Sequence, residues 1–371
     1  MSKPVQVLYD ARMLGYSGIG TQVEAVLQRL VKRPEVALTL AGHPDTIQKH
    51  LPQFEGRIRT FTDPIYSIRE QIRFPRPGKN QIIHSPHYNG AIKFLNRSLV
   101  VVHDLIHLDS AEFSSPIYRA YASFFLGQVA RRAPAIATVS DYSRERMIAN
   151  FPGCEERIVT IHNGIDHSLF RVPKKSVVDA FRKKHRLKNP FGLCVGIGKK
   201  HKNVDFVIRS LKTLWDGGLQ LDLCIAGTGG KLPGYLEKAL ETFEHKERIR
   251  VLPFFDKEEL PVLYGAADVF IMPSLIEGFG FPLAEAMACG TPVISSRRSS
   301  LPEVGGDVPL YFDPESESEL REVLLRVLED KRIRSSMKKE GPVQAKRFTW
   351  DDHVQSLVTL YQSVHRKLYT T

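Results

Sequence analysis

At 371 residues, 42% hydrophobic and 25% charged, the chain has the balance of a globular protein and exceeds what one core usually fills, so two domains are expected. Its longest apolar runs, such as residues 99–102 and 269–272, have strand length and exclude a membrane-spanning helix. The net charge of +11 divides into +5 over residues 1–170, +7 over 171–189 and −1 over 190–371. No basic stripe interleaved with aromatic residues accompanies it, which argues against nucleic acid as a partner. The basic stretch 171–188 leaves two readings, a solvated linker face or a contact with an anionic membrane surface.

Along the chain, Met1-Ser2-Lys3-Pro4 passes straight into a strand pattern at 5–9 with no apolar signal region, as in a cytoplasmic chain. Gly15, Gly18 and Gly20 follow that strand and precede a helical pattern, where backbone N–H groups can meet a phosphate or an acceptor. Their spacing is not the G-x-G-x-x-G of dinucleotide oxidoreductases, and no acidic residue follows at the required distance, so a dehydrogenase is disfavoured. Further strands are predicted at 36–40, 81–84, 99–103, 135–139 and 158–161, each followed by a longer amphipathic stretch. His103 ends a strongly apolar strand, which places it at the rim of a crevice. The pairs His84/His87 and His103/His107 invite a metal reading, but the residues between them lack the pattern of a zinc-binding helix, and no metal is expected. Ser140 or Ser143 caps the helix that contains Arg144.

A polar, basic segment at 171–189 is read as the linker to a second set of strands at 192–197, 221–226, 249–252, 268–272, 291–295 and 309–312. Lys199, Lys200, His201 and Lys202 follow the first of these, where cations at a strand's carboxyl end can meet a diphosphate and stabilise its developing charge; a solvated basic loop is the alternative. Cys154, Cys194, Cys224 and Cys289 are scattered, three of them in apolar stretches, as buried free thiols in a reducing compartment would be. The last stretch carries Val354, Leu357, Leu360, Tyr361 and Val364 at helical spacing and has no strand after it, so sequence does not assign it to either domain.

The segment 268–294 is the most informative. A buried strand ends at Pro273-Ser274, the loop Glu277-Gly278-Phe279-Gly280 follows, Pro282 opens a helix, Gly290 closes it and Pro292 begins another strand. The glycines let backbone N–H groups approach a ligand, and Glu277 and Glu285 bring two carboxylates to one crevice as acceptors for vicinal hydroxyls of a hexose or ribose.

The run Pro273-Ser274-x-x-Glu277-Gly-Phe-Gly-Phe-Pro-x-x-Glu285-Ala-Met-Ala-Cys-Gly-Thr-Pro-Val resembles the signature of retaining glycosyltransferases of family four, whose architecture is called GT-B. The resemblance extends to Ser17-Gly18-Ile19-Gly20-Thr21, His103-Asp104-Leu105-Ile106-His107, Val139-Ser140-x-x-Ser143-Arg144, His162-Asn163-Gly164-Ile165-Asp166, Lys202-Asn203 and Ser300-Leu301-Pro302-Glu303. It implies an α/β fold of two Rossmann-like domains with parallel sheets facing a central cleft. These are an acceptor domain at 1–170, the linker 171–189, a nucleotide-sugar domain at 190–349, and a helix at 350–371 that crosses back to the first domain.

By the same resemblance, Glu277 binds the donor sugar, Glu285 the ribose, and Gly278, Phe279 and Gly280 present backbone N–H groups. Lys202 and His201 meet the diphosphate, with Gly18 and Gly20 also on the donor side. Glu277, Lys202 and His103 are the catalytic set, His103 orienting the donor rather than attacking it, and Ser143 and Arg144 shape the acceptor side. The implied donor is a nucleotide diphosphate sugar, GDP-mannose first by likeness to bacterial mannosyltransferases of polysaccharide assembly, with UDP-glucose or a UDP-N-acetylhexosamine as alternatives. The implied acceptor is a glycan or a lipid-linked glycan, and the implied location is cytoplasmic, at the inner face of the membrane. No cofactor or metal is implied. Where relatives often have a base-contacting glycine, this chain has Pro253-Phe254-Phe255-Asp256, which leaves the base open. A sugar-nucleotide epimerase of the same fold and a non-catalytic carbohydrate- or polyanion-binding module are the rival readings.

Overall fold

The computed structural model describes residues 3–110, 112–196 and 198–369, and the chain divides into two units, Met1–Gly164 with Phe348–Thr371, and Ile165–Arg347. The first unit is built on β1 (Val5–Asp10), β2 (Val36–Gly42), β3 (Arg57–Thr60), β4 (Gln81–Ser85), β5 (Ser98–Val102), β6 (Ala135–Thr138) and β7 (Ile158–Thr160). These form one parallel sheet in the order β3-β2-β1-β4-β5-β6-β7. The second unit carries β8 (Phe191–Val195), β9 (Asp222–Ala226), β10 (Ile249–Val251), β11 (Val269–Met272), β12 (Val293–Ser296) and β13 (Leu310–Phe312), also parallel, in the order β10-β9-β8-β11-β12-β13.

Strands β4, β5, β9 and β11 are buried along their whole length, as expected of strands with helices on both faces of a parallel sheet, although β4 carries the polar Gln81, His84 and Ser85. In each sheet the order reverses direction once, between β1 and β4 and between β8 and β11. The chain segments leaving the two central strands at such a point go on to opposite faces of the sheet, which opens a crevice at the carboxyl ends. Every predicted strand is present within a residue or two of its expected bounds. The strand expected at 99–103 stops at Val102, leaving His103 on the following loop, and Ile197, expected to end β8, lies outside the described residues. β3 has no counterpart in the sequence reading: Arg57-Ile58-Arg59-Thr60 is an exposed edge strand on β2, held by backbone pairing rather than by an apolar face.

The segment 171–189 is not a free linker. Lys175–Lys184 is a helix packed on the helix Leu260–Ala266. Phe181 is buried, Arg182 donates to the Ala266 carbonyl at 2.8 Å and the Asn189 carbonyl at 2.6 Å, and Lys184 pairs with Glu259 at 2.6 Å. With Phe181 as its one fully buried side chain, this helix has a sequence that reads as solvated, yet it belongs to the second unit.

The terminal helix Trp350–Tyr369 belongs to the first unit, packing on β1, β4 and the helix Ser17–Leu30 through Val354, Leu357, Tyr361 and Val364. Tyr361 Oη shares a hydrogen bond with His84 Nδ1 at 2.7 Å, and His353 Nδ1 meets the His162 carbonyl at 2.7 Å. Gly164 allows this approach: a Cβ there would lie 2.2 Å from the Trp350 nitrogen. All four cysteines are buried and free, and no helix of the described residues is long and apolar enough to cross a membrane.

Candidate functional site

In the second unit the loops leaving β8, β11 and β12 converge at the point where the strand order reverses. After β8 the chain makes a short turn at Lys200–Lys202, then Asn203 takes a left-handed conformation (φ 56°) that asparagine tolerates better than most residues. Its side-chain amide donates to the Pro314 carbonyl at 2.9 Å and the Pro273 carbonyl at 3.3 Å, and the Leu275 N–H donates to the carbonyl of buried His201 at 2.9 Å. The cationic turn is thereby fastened to the end of β11.

This places Lys202 Nζ 2.7 Å from Glu277 Oε1, with only 19% and 11% of the two side chains exposed. Burial works against ionisation of Glu277, but the adjacent ammonium and its hydrogen bond outweigh it and hold the carboxyl below its ordinary value. The Glu277 backbone is clamped as well: its N–H donates to Ser299 Oγ at 2.9 Å and its carbonyl accepts from Ser300 Oγ at 3.0 Å. The loop after β12 therefore fixes the loop after β11.

Gly278, Phe279 and Gly280 lead into the helix Phe281–Ala288, whose start has no side-chain cap. Gly280 has φ 97°, and Phe279 buries its ring edge-on to Phe281. Glu285, further along the helix, accepts from Tyr264 Oη at 2.8 Å. Burial pushes its carboxyl up to about 7, against the opposing pull of Tyr264 and the Lys257 charge. Glu303 sits in the first turn of the helix Leu301–Gly305, half-buried. The arrangement joins a cation, an ionised carboxylate, a carboxyl poised near neutrality and an uncapped helix start. Such a set suits a ligand with phosphates at one end and hydroxyls beside them.

In the first unit, Gly20 lies in the opening turn of its helix and is needed for packing, since a Cβ would lie 2.6 Å from the Met13 carbonyl, whereas Gly18 faces open space. His103 Nε2 meets the Pro86 carbonyl at 2.8 Å; burial lowers its pKa, against that contact and the nearby Asp104. Ser140 is the helix cap, accepting from the Ser143 N–H at 3.1 Å, while Ser143 Oγ donates to the His103 carbonyl at 3.0 Å and Arg144 sits half-buried in the same first turn. Ser143 thus positions His103. His84 stacks on Tyr9 and bonds Tyr361, and His87 Nε2 meets Tyr66 Oη at 2.8 Å, so both imidazoles have partners within the protein.

Residues 177–344 match the family described as glycosyl transferases group 1, and residues 16–169 match glycosyltransferase family 4. The chain belongs to glycosyltransferase family four. This glycosyltransferase is 27% identical to the O-antigen chain mannosyltransferase B of Escherichia coli over 96% of its own length and 100% of the relative's. It is 26% identical to the serotype-specific mannosyltransferase WbdA of Escherichia coli over 72% of its length, a match that spans 34% of that longer relative. Among solved structures, Anabaena HepE in complex with UDP and glucose superposes with a TM-score of 0.75 at 18% identity, covering 97% of this chain and 100% of that one. The fold is therefore GT-B and the protein is a glycosyl-transferring enzyme.

Several residues that build the candidate site and its surroundings carry no local signature. Tyr264 reaches Glu285 from a helix whose apolar spacing marks it only as core. Ser299 adopts φ 57° to face Glu277, and nothing in its sequence neighbourhood announces that. In the first unit Arg12 follows β1 and contacts Asp10 at 2.6 Å, Glu70 at 2.9 Å and the Asp63 carbonyl at 3.0 Å. Asn89 donates to Glu70 and accepts from Tyr121 Oη. Arg12, Tyr16, His43, Phe61, Asp63 and Ile65 line a pocket of about 560 Å³ at the carboxyl ends of β1, β2 and β3. The lining comes from three separate segments between Ala11 and Ile65, so no motif exposes it.

Proposed function

We propose that the protein transfers mannose from GDP-mannose to a glycan or lipid-linked glycan with retention of configuration, the nucleotide diphosphate sugar binding on the loops after β8, β11 and β12. The observation that carries the donor site is the Lys202–Glu277 pair beside Glu285 and an uncapped helix start. Mannose is favoured because the full-length relative from Escherichia coli is named a mannosyltransferase.

In this reading Glu277, held ionised, accepts from sugar hydroxyls, and Glu285 accepts from the ribose diol. Lys202 shares its charge between Glu277 and the diphosphate, stabilising the negative charge that grows as the bond from the anomeric carbon to the phosphate oxygen breaks. The acceptor oxygen bonds to the anomeric carbon from the face the diphosphate leaves, and the departing phosphate oxygen takes the acceptor's proton. No side chain forms a covalent intermediate and no metal is required. His103 orients the donor, its ring held by the Pro86 carbonyl and its backbone carbonyl by the Ser143 hydroxyl. The pocket beside Arg12 supplies room for an acceptor.

Thermal-shift and turnover measurements against GDP-, UDP-, ADP- and TDP-sugars test this. GDP-mannose raises the melting temperature of the wild type and not of Glu285→Ala, and releases GDP in the presence of acceptor. Stabilisation by UDP-sugars instead reassigns the donor. If no nucleotide sugar distinguishes wild type from Glu285→Ala, the donor site is wrong. Epimerised free nucleotide sugar would indicate the epimerase.

A further inference from the structure

The pocket at the carboxyl ends of β1, β2 and β3 has a wall that is fixed by the protein itself. This wall is the segment Phe61 to Ile65, between β3 and the helix Ile68–Arg73. The Phe61 N–H donates to the Gly42 carbonyl at 3.0 Å, Arg12 Nη1 to the Asp63 carbonyl at 3.0 Å and Ser67 Oγ to the Pro64 carbonyl at 2.6 Å. Tyr66 then takes φ 65°, a costly conformation for an aromatic residue. It is held there by packing on Tyr121, with ring centroids 5.8 Å apart, and by a 2.8 Å hydrogen bond between its hydroxyl and His87 Nε2. A wall fastened at both ends keeps Asp63 and Ile65 in the lining without a ligand to order them.

Arg12 is the cation in the lining, yet its contacts engage it within the protein. Its Nε and Nη2 donate to the two oxygens of Asp10 at 2.9 and 2.6 Å, Nη1 lies 2.9 Å from Glu70 Oε2, and its guanidinium covers the Phe61 ring at 4.1 Å. The side chain is 6% exposed. One guanidinium thus serves two carboxylates. A third carboxylate, Asp63, belongs to the lining itself and is 14% exposed. Arg73 pairs with it from the solvent side at 3.8 Å, too far for a hydrogen bond, so the Asp63 oxygens keep their capacity to accept. His43, exposed at the rim, has Asp45 3.9 Å away. Beside these charges the pocket offers the hydroxyls of Thr46 and Thr62 and the ring of Tyr16, 66% exposed.

We infer that this pocket holds a neutral pyranose of the acceptor glycan and rejects phosphorylated or otherwise anionic acceptors. A pyranose carries hydroxyls around its rim and C–H groups on its faces. Asp63 accepts from vicinal hydroxyls, Thr46 and Thr62 exchange hydrogen bonds with others, and Tyr16 covers a C–H face with a broad, rigid ring. A phosphate in the same space meets the Asp63 charge beside a guanidinium already shared by two carboxylates, and that repulsion discriminates against it. Asp63 and Tyr16 are therefore the residues that select the acceptor. The inference rests on the proposed role of this pocket as the acceptor site and deepens it.

Binding of small saccharides to the full chain without nucleotide provides a test independent of the donor. The neutral probes for saturation-transfer NMR at millimolar ligand are methyl α-mannoside, methyl α-glucoside and methyl N-acetyl-α-glucosaminide; mannose 6-phosphate and inorganic phosphate are the anionic ones. At least one neutral pyranoside is expected to bind, and neither anion to compete with it. Asp63→Asn is expected to weaken that binding about tenfold, because a charged acceptor becomes a neutral one. Tyr16→Ala is expected to weaken it about fivefold. The Asp63 backbone carbonyl still receives Arg12 in the variant and Tyr16 is exposed, so both are expected to melt as the wild type does. Arg73→Gln is expected to change saccharide binding by less than about twofold. In turnover, Asp63→Asn raises the acceptor KM and leaves the melting shift caused by GDP-mannose unchanged, whereas a wrong donor assignment removes that shift and leaves saccharide binding intact. The inference is overturned by three results: no binding of any neutral pyranoside, binding that ignores both Asp63→Asn and Tyr16→Ala, or binding of the anionic probes that Arg73→Gln abolishes.

Discussion

Lys202 Nζ and Glu277 Oε1, 75 residues apart in sequence, are joined at 2.7 Å in a setting where neither side chain is more than a fifth exposed. Because the pair is largely desolvated, removing one partner strands the other. Lys202→Met is expected to cost about 3 kcal/mol by leaving Glu277 unpaired, and Glu277→Gln less, about 1–2 kcal/mol, because the amide keeps a hydrogen-bonding oxygen. Chemical denaturation measures both. Each variant is also expected to lower transfer at least about a hundredfold, with the loss in kcat for Lys202→Met if it stabilises leaving-group charge. Wild-type turnover in either variant would remove the pair from the mechanism.

Glu285, with its carboxyl raised to about 7, gives a second expectation. The folded protein holds a proton here that the unfolded chain releases near the ordinary glutamate value. Its stabilising contribution is therefore complete below about pH 4.5 and is lost as pH rises through about 7. Glu285→Gln should stabilise the protein at pH 8 by an amount on the order of 2 kcal/mol, and by progressively less toward pH 5. Donor affinity should run the other way, since the protonated carboxyl accepts ribose hydroxyls poorly: affinity falls as pH drops through 7. A flat affinity profile between pH 5.5 and 8 would separate Glu285 from the donor.

Acid stability should be governed largely by the first unit. Burial lowers His84 and His87 to about 3 and His353 to about 4, whereas unfolded histidine titrates near 6.5. The native state excludes protons that the unfolded chain takes up, so stability is full above about pH 6.5 and declines as pH falls toward 3–4. Differential scanning calorimetry from pH 7 to pH 4 should show a steadily falling transition. Tyr361→Phe should cost about 1 kcal/mol by removing the partner of His84, and His84→Gln should flatten the pH slope even if it lowers stability at pH 7.

Gly280 supplies a conformational test. At φ 97° a side chain is strained, and a Cβ would also lie 2.7 Å from the movable Cδ2 of Leu301. Gly280→Ala is expected to destabilise by about 1–2 kcal/mol and to weaken donor binding by displacing the helix start. Gly18→Ala, whose Cβ would enter open space, should leave stability unchanged. Equal melting temperatures for Gly280→Ala and wild type would contradict the strain argument.

What the amino-acid order determined by itself is what depends on neighbours in the chain. Unbroken apolar runs, glycine and proline punctuation and helical spacing placed the strands of both sheets, and the Glu277-to-Glu285 run marked the loop and helix of the second unit. β3 escaped because Arg57-Ile58-Arg59-Thr60 has no buried face and is held by its backbone. The helix Lys175–Lys184 escaped because Phe181 alone is fully buried on it. Helical spacing left open which unit receives the terminal helix, since its apolar stripe fits any apolar surface and only the family resemblance pointed to the first; the tertiary structure puts it there, with Gly164 admitting Trp350 and Tyr361 finding His84. It likewise brought Tyr264 to Glu285 and Ser299 to Glu277, and turned Ile68, Ile72 and Ile117 outward. Contacts of that kind join residues far apart in the chain, and the direction a side chain faces depends on what the rest of the fold packs beneath it.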